Sequence, residues 1–280
     1  VSNFLQIHDV NEMINTIFMD LDGTIYYGEK VVEGALETID YIRNSGIKLL
    51  FLTNNSEKTR TEIAKKLTMM GITAKDTDIL SSGYVSIYYV REKNLKNVYV
   101  CGSSSLKNEC IDEGLDIVDE DDAENMIIGM DSNYNYKKMA KAVRVALKSN
   151  QIIACNMEQT FPSTDGIIMP GCGAMVSSIE YCSNKTADII TGKPSKLMMD
   201  VGLKITGSCN EETVIIGDSL KSDISMAISN NCPYIHIDSK NCVNQSNICS
   251  VYRIIHKWEF ENRISQIEYH HKQNRTQNVK

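Results

Sequence analysis

One buried run and the acids that follow it constrain this chain most. Thr16-Ile17-Phe18-Met19 is apolar and partly β-branched or aromatic, the composition of a strand covered on both faces. It leads directly into Asp20-Leu21-Asp22-Gly23-Thr24, where Gly23 lets the chain turn sharply. In an open α/β sheet, ligands bind beyond the carboxyl ends of the strands. Two acids at such an end repel each other unless a cation or a proton relieves them. One could act as nucleophile and the other as general acid and base, with Mg²⁺ offsetting the charge. Asp and Gly are also ordinary turn residues, so the pentapeptide alone leaves a plain turn open. A calcium loop starting at Asp20 fails, because Ile25 and Val31 stand where it needs Gly and Glu.

The same rhythm continues down the chain. Strands are expected at 47–52, 97–101, 125–130, 151–155, 188–191, 213–217 and 234–237. Helices are expected near 34–44, 57–70 (with Ser56 as N-cap), 85–93, 104–113, 136–148, 174–183, 195–206 and 222–230. Strands alternating with helices of about 10–15 residues predict an α/β fold, a mostly parallel sheet with right-handed crossovers. There is no internal repeat and no low-complexity linker, so a second domain would have to be an insertion without a marked boundary.

Composition excludes several classes. The chain has 280 residues, 42% hydrophobic and 23% charged, with net charge −7. That is enough chain for one large domain or two smaller ones. An acidic protein offers no footprint for nucleic acid and repels anionic membranes, whereas a small phosphorylated metabolite could bind where the site supplies a cation. No run approaches the ~18 apolar residues of a membrane span. Residues 1–15 hold no basic segment followed by an apolar stretch, so no secretory leader is expected there. Nine cysteines, scattered without a C-x-x-C pair, fit reduced thiols in a cytoplasmic protein better than a disulfide framework or a zinc site. Residues 251–280 carry six Lys/Arg against three Glu and are expected to be a solvated basic tail.

Three further strand exits bear polar groups. After Phe51-Leu52 come Thr53-Asn54-Asn55, where a hydroxyl and backbone N–H groups could hold phosphate oxygens or simply cap a helix. Thr191-Gly192-Lys193-Pro194-Ser195 is no P-loop, since Ala187 occupies the leading glycine position and Pro194 follows the lysine. It leaves a lysine at a strand exit, able to neutralise a phosphoryl group or to decorate the surface. Gly217-Asp218-Ser219-Leu220-Lys221-Ser222-Asp223 ends another buried strand in an acid. Asp218 is placed as a direct metal ligand, and Asp223 as its support or as a helix cap. Pro170-Gly171-Cys172-Gly173-Ala174 imitates a dinucleotide loop but has Val176 at the third glycine position, and reads as a turn entering a helix.

Each signal is modest alone. Together, in this order, they resemble the four motifs of the haloacid dehalogenase superfamily of phosphotransferases: DLDGT at 20–24, Thr53, Lys193 and GDSLKSD at 217–223. The stretches 31–39, 53–56, 129–131, 170–175 and 192–195 are similar to the NagD-type, class IIA branch, which includes p-nitrophenylphosphatase-like and pyridoxal-phosphatase-like proteins. Asn156-Met157-Glu158 departs from a stretch usually close to Asn-Pro-Asp.

The resemblance implies a Rossmann-like, doubly wound parallel core of residues 1–78 plus 187–280, with an inserted α/β (C2-type) cap at 79–186. It implies that Asp20 attacks phosphorus and that Asp22 protonates the leaving group and then activates water. Asp20, the backbone carbonyl of Asp22 and Asp218 would hold Mg²⁺, supported by Asp223. Thr53, Asn54, Asn55 and Lys193 would bind the substrate phosphate, while Asp131, Tyr134 and 156–158 are candidates for leaving-group contacts. The substrate would be a small phosphate monoester of the nucleotide, sugar phosphate or pyridoxal phosphate class, and a homodimer is open by analogy. A carbon–halogen hydrolase of this fold would need neither Asp22 nor Asp218. Two non-enzymatic alternatives remain: a catalytically idle phosphometabolite-binding regulator, and a scaffold that recruits a partner through its basic tail.

Overall fold

The computed structural model describes residues 14–162 and 167–237, so the amino-terminal stretch and the basic tail lie outside the described residues. The strands, in chain order, are β1 (Thr16–Asp20), β2 (Tyr26–Tyr27), β3 (Lys30–Val31), β4 (Lys48–Thr53), β5 (Ile79–Ser81), β6 (Val98–Cys101), β7 (Asn125–Ile128), β8 (Gln151–Ala154), β9 (Thr160–Pro162), β10 (Ile168–Pro170), β11 (Ile189–Ile190), β12 (Thr213–Gly217) and β13 (Tyr234–His236). Contacts divide the chain into two compact units. The first takes the described parts of Val1–Leu52, Leu67–Thr73 and Met199–Lys280, and the second those of Thr53–Lys66 and Ala74–Met198.

The first unit is built on parallel strands in the order β13-β12-β1-β4. All five residues of β1 and all five of β12 are buried, as apolar runs covered on both faces must be. The chain leaves β1 toward β4 on one side and returns as β12 on the other. The order therefore reverses beside β1, which makes the carboxyl ends of β1 and β12 the topological switch point of this sheet. This is the parallel α/β sheet that the strand–helix alternation predicts, in the Rossmann-like form that the resemblance implies.

The second unit has its own parallel sheet, ordered β11-β8-β7-β6. Its core includes Val98, Ile127, Ile153, Val145 and Val176. Two antiparallel hairpins, β2–β3 and β9–β10, escape prediction because their strands are two or three residues long and mostly exposed, so no periodic apolar signal marks them.

Of the helix starts that differ from expectation, two have a clear local reason. The helix predicted from residue 57 begins at Arg60 instead. Asn55 Oδ1 accepts the N–H groups of Glu57 and Lys58, both at 3.0 Å, in a turn that precedes the helix. The cap is Thr59: its Oγ1 accepts from Glu62 N at 3.1 Å, and Glu62 Oε2 accepts from Thr59 N at 2.8 Å. Ser56 is used elsewhere, accepting from Met130 N at 2.9 Å. The helix predicted over 222–230 opens as a π turn, Leu220–Ile224, and becomes α-helical only at Ser225–Ser229.

The seven cysteines within the described residues are free thiols, five of them buried. Burial pushes the thiols of Cys101, Cys110 and Cys232 up to about 12 and that of Cys172 up to about 11. None of these four is primed as a nucleophile. Among the described residues, no helix is long and apolar enough to cross a membrane.

The Thr59–Glu62 box yields a stability test. Thr59→Ala should cost about 0.5–2 kcal/mol in urea unfolding. Glu62→Ala should be coupled to it by about 0.5 kcal/mol or more in a double-mutant cycle, whereas Ser56→Ala, which breaks a separate bond, should add independently.

Candidate active site

In the first unit, β1 delivers Asp20 at its last residue, and Asp218 follows directly on β12. Asp223 comes from the π turn. One carboxylate oxygen from each of Asp20, Asp218 and Asp223 lies within 4.8 Å of the other two. Asp20 and Asp223 are 6% and 1% exposed, so little water screens their mutual repulsion. An all-oxygen, carboxylate-rich donor set of this kind suits a hard divalent cation such as Mg²⁺.

The surrounding backbone is shaped to admit these acids. Gly23 has φ +90°, and a Cβ there would overlap the Asp218 carboxylate. A Cβ on Gly217 would overlap the carboxylate of Asp223. Asp223 Oδ2 accepts from Ser219 N at 3.2 Å, and the Asp218 carbonyl lies 3.0 Å from His236 Nε2.

Asp22 points elsewhere. Its carboxylate is exposed and is not one of the three clustered acids; Tyr26 Oη donates to its Oδ2 at 3.3 Å. Burial, followed by the charges of Asp22 and Asp20, pushes the Tyr26 hydroxyl well above its ordinary value, so it remains a donor. The turn that carries Asp22 is closed by Gly23 N to Tyr26 O at 2.9 Å and by Ile25 N to Leu21 O at 2.8 Å. Tyr26 is a residue that the sequence reading missed. The signal was present only as an aromatic just past a Gly-Thr turn, and nothing in spacing says that it folds back.

In the second unit, Thr53 closes β4 and is buried, and its Oγ1 accepts from Asn55 N at 3.0 Å. Asn54 and Lys193 are brought together although 139 residues apart. Asn54 Oδ1 accepts from Lys193 N at 2.7 Å, and Asn54 Nδ2 donates to the Lys193 carbonyl at 3.1 Å. The same Nδ2 donates to Glu158 Oε1 at 2.9 Å, and the Asn54 carbonyl accepts from Asn156 Nδ2 at 2.7 Å. Of the other residues considered for leaving-group contacts, Asp131 pairs with Lys138 at 2.5 Å and the Tyr134 hydroxyl bonds Ser178 Oγ at 3.0 Å.

The glycines around the first unit's acids generate a prediction. Gly23→Ala should weaken Mg²⁺ binding, measured by titration calorimetry, by about 10–100-fold, because Asp218 must move. Gly46 also has positive φ (+73°), but a Cβ there meets nothing within 4 Å. Gly46→Ala should therefore cost about 1–2 kcal/mol of stability and leave the metal affinity unchanged.

Residues 17–116 match the family model described as haloacid dehalogenase-like hydrolase, and residues 190–242 match a second, HAD-hydrolase-like model. The chain is 32% identical over 222 residues to the acid sugar phosphatase of Staphylococcus haemolyticus, covering 79% of this chain and 84% of that protein. Among solved structures, it resembles a p-nitrophenyl phosphatase from Archaeoglobus fulgidus, with TM-score 0.77, 26% identity, and coverage of 85% and 92% of the two chains. It also resembles NagD from E. coli K-12, with TM-score 0.74, 27% identity, and coverage of 81% and 88%. With its acids at the switch point of a Rossmann-like sheet, the chain belongs to the haloacid dehalogenase-like hydrolases, as a phosphatase of their NagD-like, class IIA branch.

Proposed function

We propose that this phosphatase hydrolyses small phosphate monoesters through an aspartyl-phosphate and depends on Mg²⁺. The observation that carries the reading is the cluster of Asp20, Asp218 and Asp223, three carboxylates within 4.8 Å at the carboxyl ends of adjacent parallel strands. Asp20 and Asp218 hold the cation together with the Asp22 backbone carbonyl, and Asp223 completes their surroundings. When bound, Mg²⁺ offsets the charge of the acids and of the phosphoryl oxygens.

A carboxylate oxygen of Asp20 attacks phosphorus as the bond to the leaving oxygen breaks, and the Asp22 carboxyl gives that oxygen its proton. Asp22, now ionised, takes a proton from water, which attacks phosphorus and releases phosphate and the free Asp20 carboxylate. The Tyr26 hydroxyl restrains Asp22 for both transfers. Thr53, the loop residues Asn54 and Asn55, and Lys193 serve the phosphoryl group, whose charge spreads over three oxygens and is stabilised by fixed donors. Residues 79–186 act as the cap that contacts the leaving group. The acid sugar phosphatase relatives make a sugar phosphate the first substrate to test, ahead of nucleotides and pyridoxal phosphate. The scattered, unpaired spacing of the cysteines supports a cytoplasmic setting.

The test is phosphate release from p-nitrophenyl phosphate and from a panel of sugar phosphates, with Mg²⁺ and with chelator. Turnover should require Mg²⁺, and Asp20→Asn should lower kcat by at least about 10³-fold. Equal turnover in chelator, or a wild-type rate for Asp20→Asn, would sink this mechanism.

A further inference from the structure

We infer that Asn54 acts as a positioning residue for Lys193 and that Glu158 locks it in place. The inference rests on the reading of Lys193 as a phosphoryl-binding group. A side-chain amide has two N–H donors and one acceptor oxygen. In Asn54 all three functions are committed: Nδ2 donates to the Lys193 carbonyl and to Glu158 Oε1, and Oδ1 accepts from Lys193 N. No side-chain donor remains for a phosphate. Instead the amide pairs with both backbone groups of Lys193, as a neighbouring strand would, and fixes the residue from which the lysine side chain springs.

The surroundings are cut to fit this clamp. A Cβ on Gly192 would lie 2.5 Å from Asn54 Oδ1 and 2.5 Å from the Cys155 carbonyl oxygen, so only glycine lets the amide reach the Lys193 peptide. Asn156 Nδ2 donates to the Asn54 carbonyl and Glu158 Oε1 accepts from Asn54 Nδ2, so the 156–158 segment grips the Asn54 loop at two points, and its own turn is held by Glu158 N donating to Asn156 Oδ1 at 3.0 Å. That segment is braced in turn by the Pro170–Ala174 stretch. Gly171 N donates to Gln159 O and Gly173 N to Glu158 O, each at 2.8 Å. A Cβ on Gly171 would overlap the Glu158 carbonyl, and one on Gly173 would lie 2.5 Å from that of Met157. The glycine-rich stretch that imitates a dinucleotide loop thus belongs to a bracket ending at Lys193.

Exchanging donor for acceptor tests this directly. Asn54→Asp keeps the bond from Lys193 N but turns its second oxygen toward the Lys193 carbonyl and the Glu158 carboxylate. The affinity for inorganic phosphate, read as a competitive Ki in the Mg²⁺-loaded enzyme, should weaken about tenfold. Glu158→Gln alone should stay within about twofold of wild type, since its amide oxygen can still accept. Combined with Asn54→Asp, it restores a donor to the introduced carboxylate and should recover part of the loss. Melting temperatures taken in parallel separate this from unfolding, and the exposed Glu158→Ala variant, expected to lose about two- to fivefold, serves if Asn54→Asp fails to fold.

Lys193→Ala assigns the blame in case of failure. If it leaves the phosphate Ki unchanged, the role given to Lys193 is wrong and the clamp has nothing to position. If it weakens phosphate while Asn54→Asp and Glu158→Ala do not, the clamp alone is overturned.

Discussion

Repulsion among three carboxylates governs the first unit of this protein. Asp20, Asp218 and Asp223 each offer an oxygen within 4.8 Å of the others, and two of the three are nearly inaccessible to water. Such a group is costly unless a cation joins it. The fold makes the arrangement unavoidable once the strands pair, because parallel β1 and β12 bring their carboxyl ends to the same edge, with Met19 level with Ile216. Gly23 and Gly217 then leave out the two side-chain carbons that would push Asp218 and Asp223 away. The backbone of the unit is therefore shaped to let the three acids approach one another.

Asp22 shows how two acids two residues apart acquire different work. The strand ends at Asp20, so that side chain stays in the buried edge, while the turn at Gly23 swings Asp22 outward beneath the Tyr26 hydroxyl. A nucleophile must be held and desolvated, whereas a group that exchanges protons with a leaving group and with water needs access. The roles proposed for Asp20 and Asp22 therefore rest on a difference in environment, and not on any difference in residue type.

The strand exits were legible in the sequence because burial leaves a contiguous mark: TIFM before Asp20 and TVIIG before Asp218 are runs that only a covered strand requires. The Tyr136–Lys148 helix was legible to its last residue, since its apolar positions repeat with the helical period. What failed was set by competition among polar side chains. Ser56, Thr59 and Asn55 are all good caps, and only the fold decides that Ser56 is taken by Met130 N, leaving Thr59 to start the helix. The π turn at Leu220–Ile224 is equally invisible, because it answers to the placement of Asp223 and not to any local preference.

The contacts of Asn54 lie beyond local reading for a stronger reason: its partners are 104 and 139 residues away. A lone lysine after Thr-Gly reads as surface, yet Lys193 is 5% exposed, with its backbone N–H and carbonyl both bonded to Asn54 and a preceding residue that has no side chain. A long, flexible side chain contributes little to catalysis unless its origin is fixed, since its own rotamer freedom already spreads the charge over several ångströms. Glu158 fits that requirement in an economical way. Its backbone is set by close approach to Gly171 and Gly173, so its side chain need supply only one acceptor, and the reach of a glutamate suffices. On the inference that Asn54 positions Lys193, the departure at 156–158 bears on phosphate binding and not on substrate preference, because a phosphate is the group held in common by every substrate, and its effect should be felt across all of them alike.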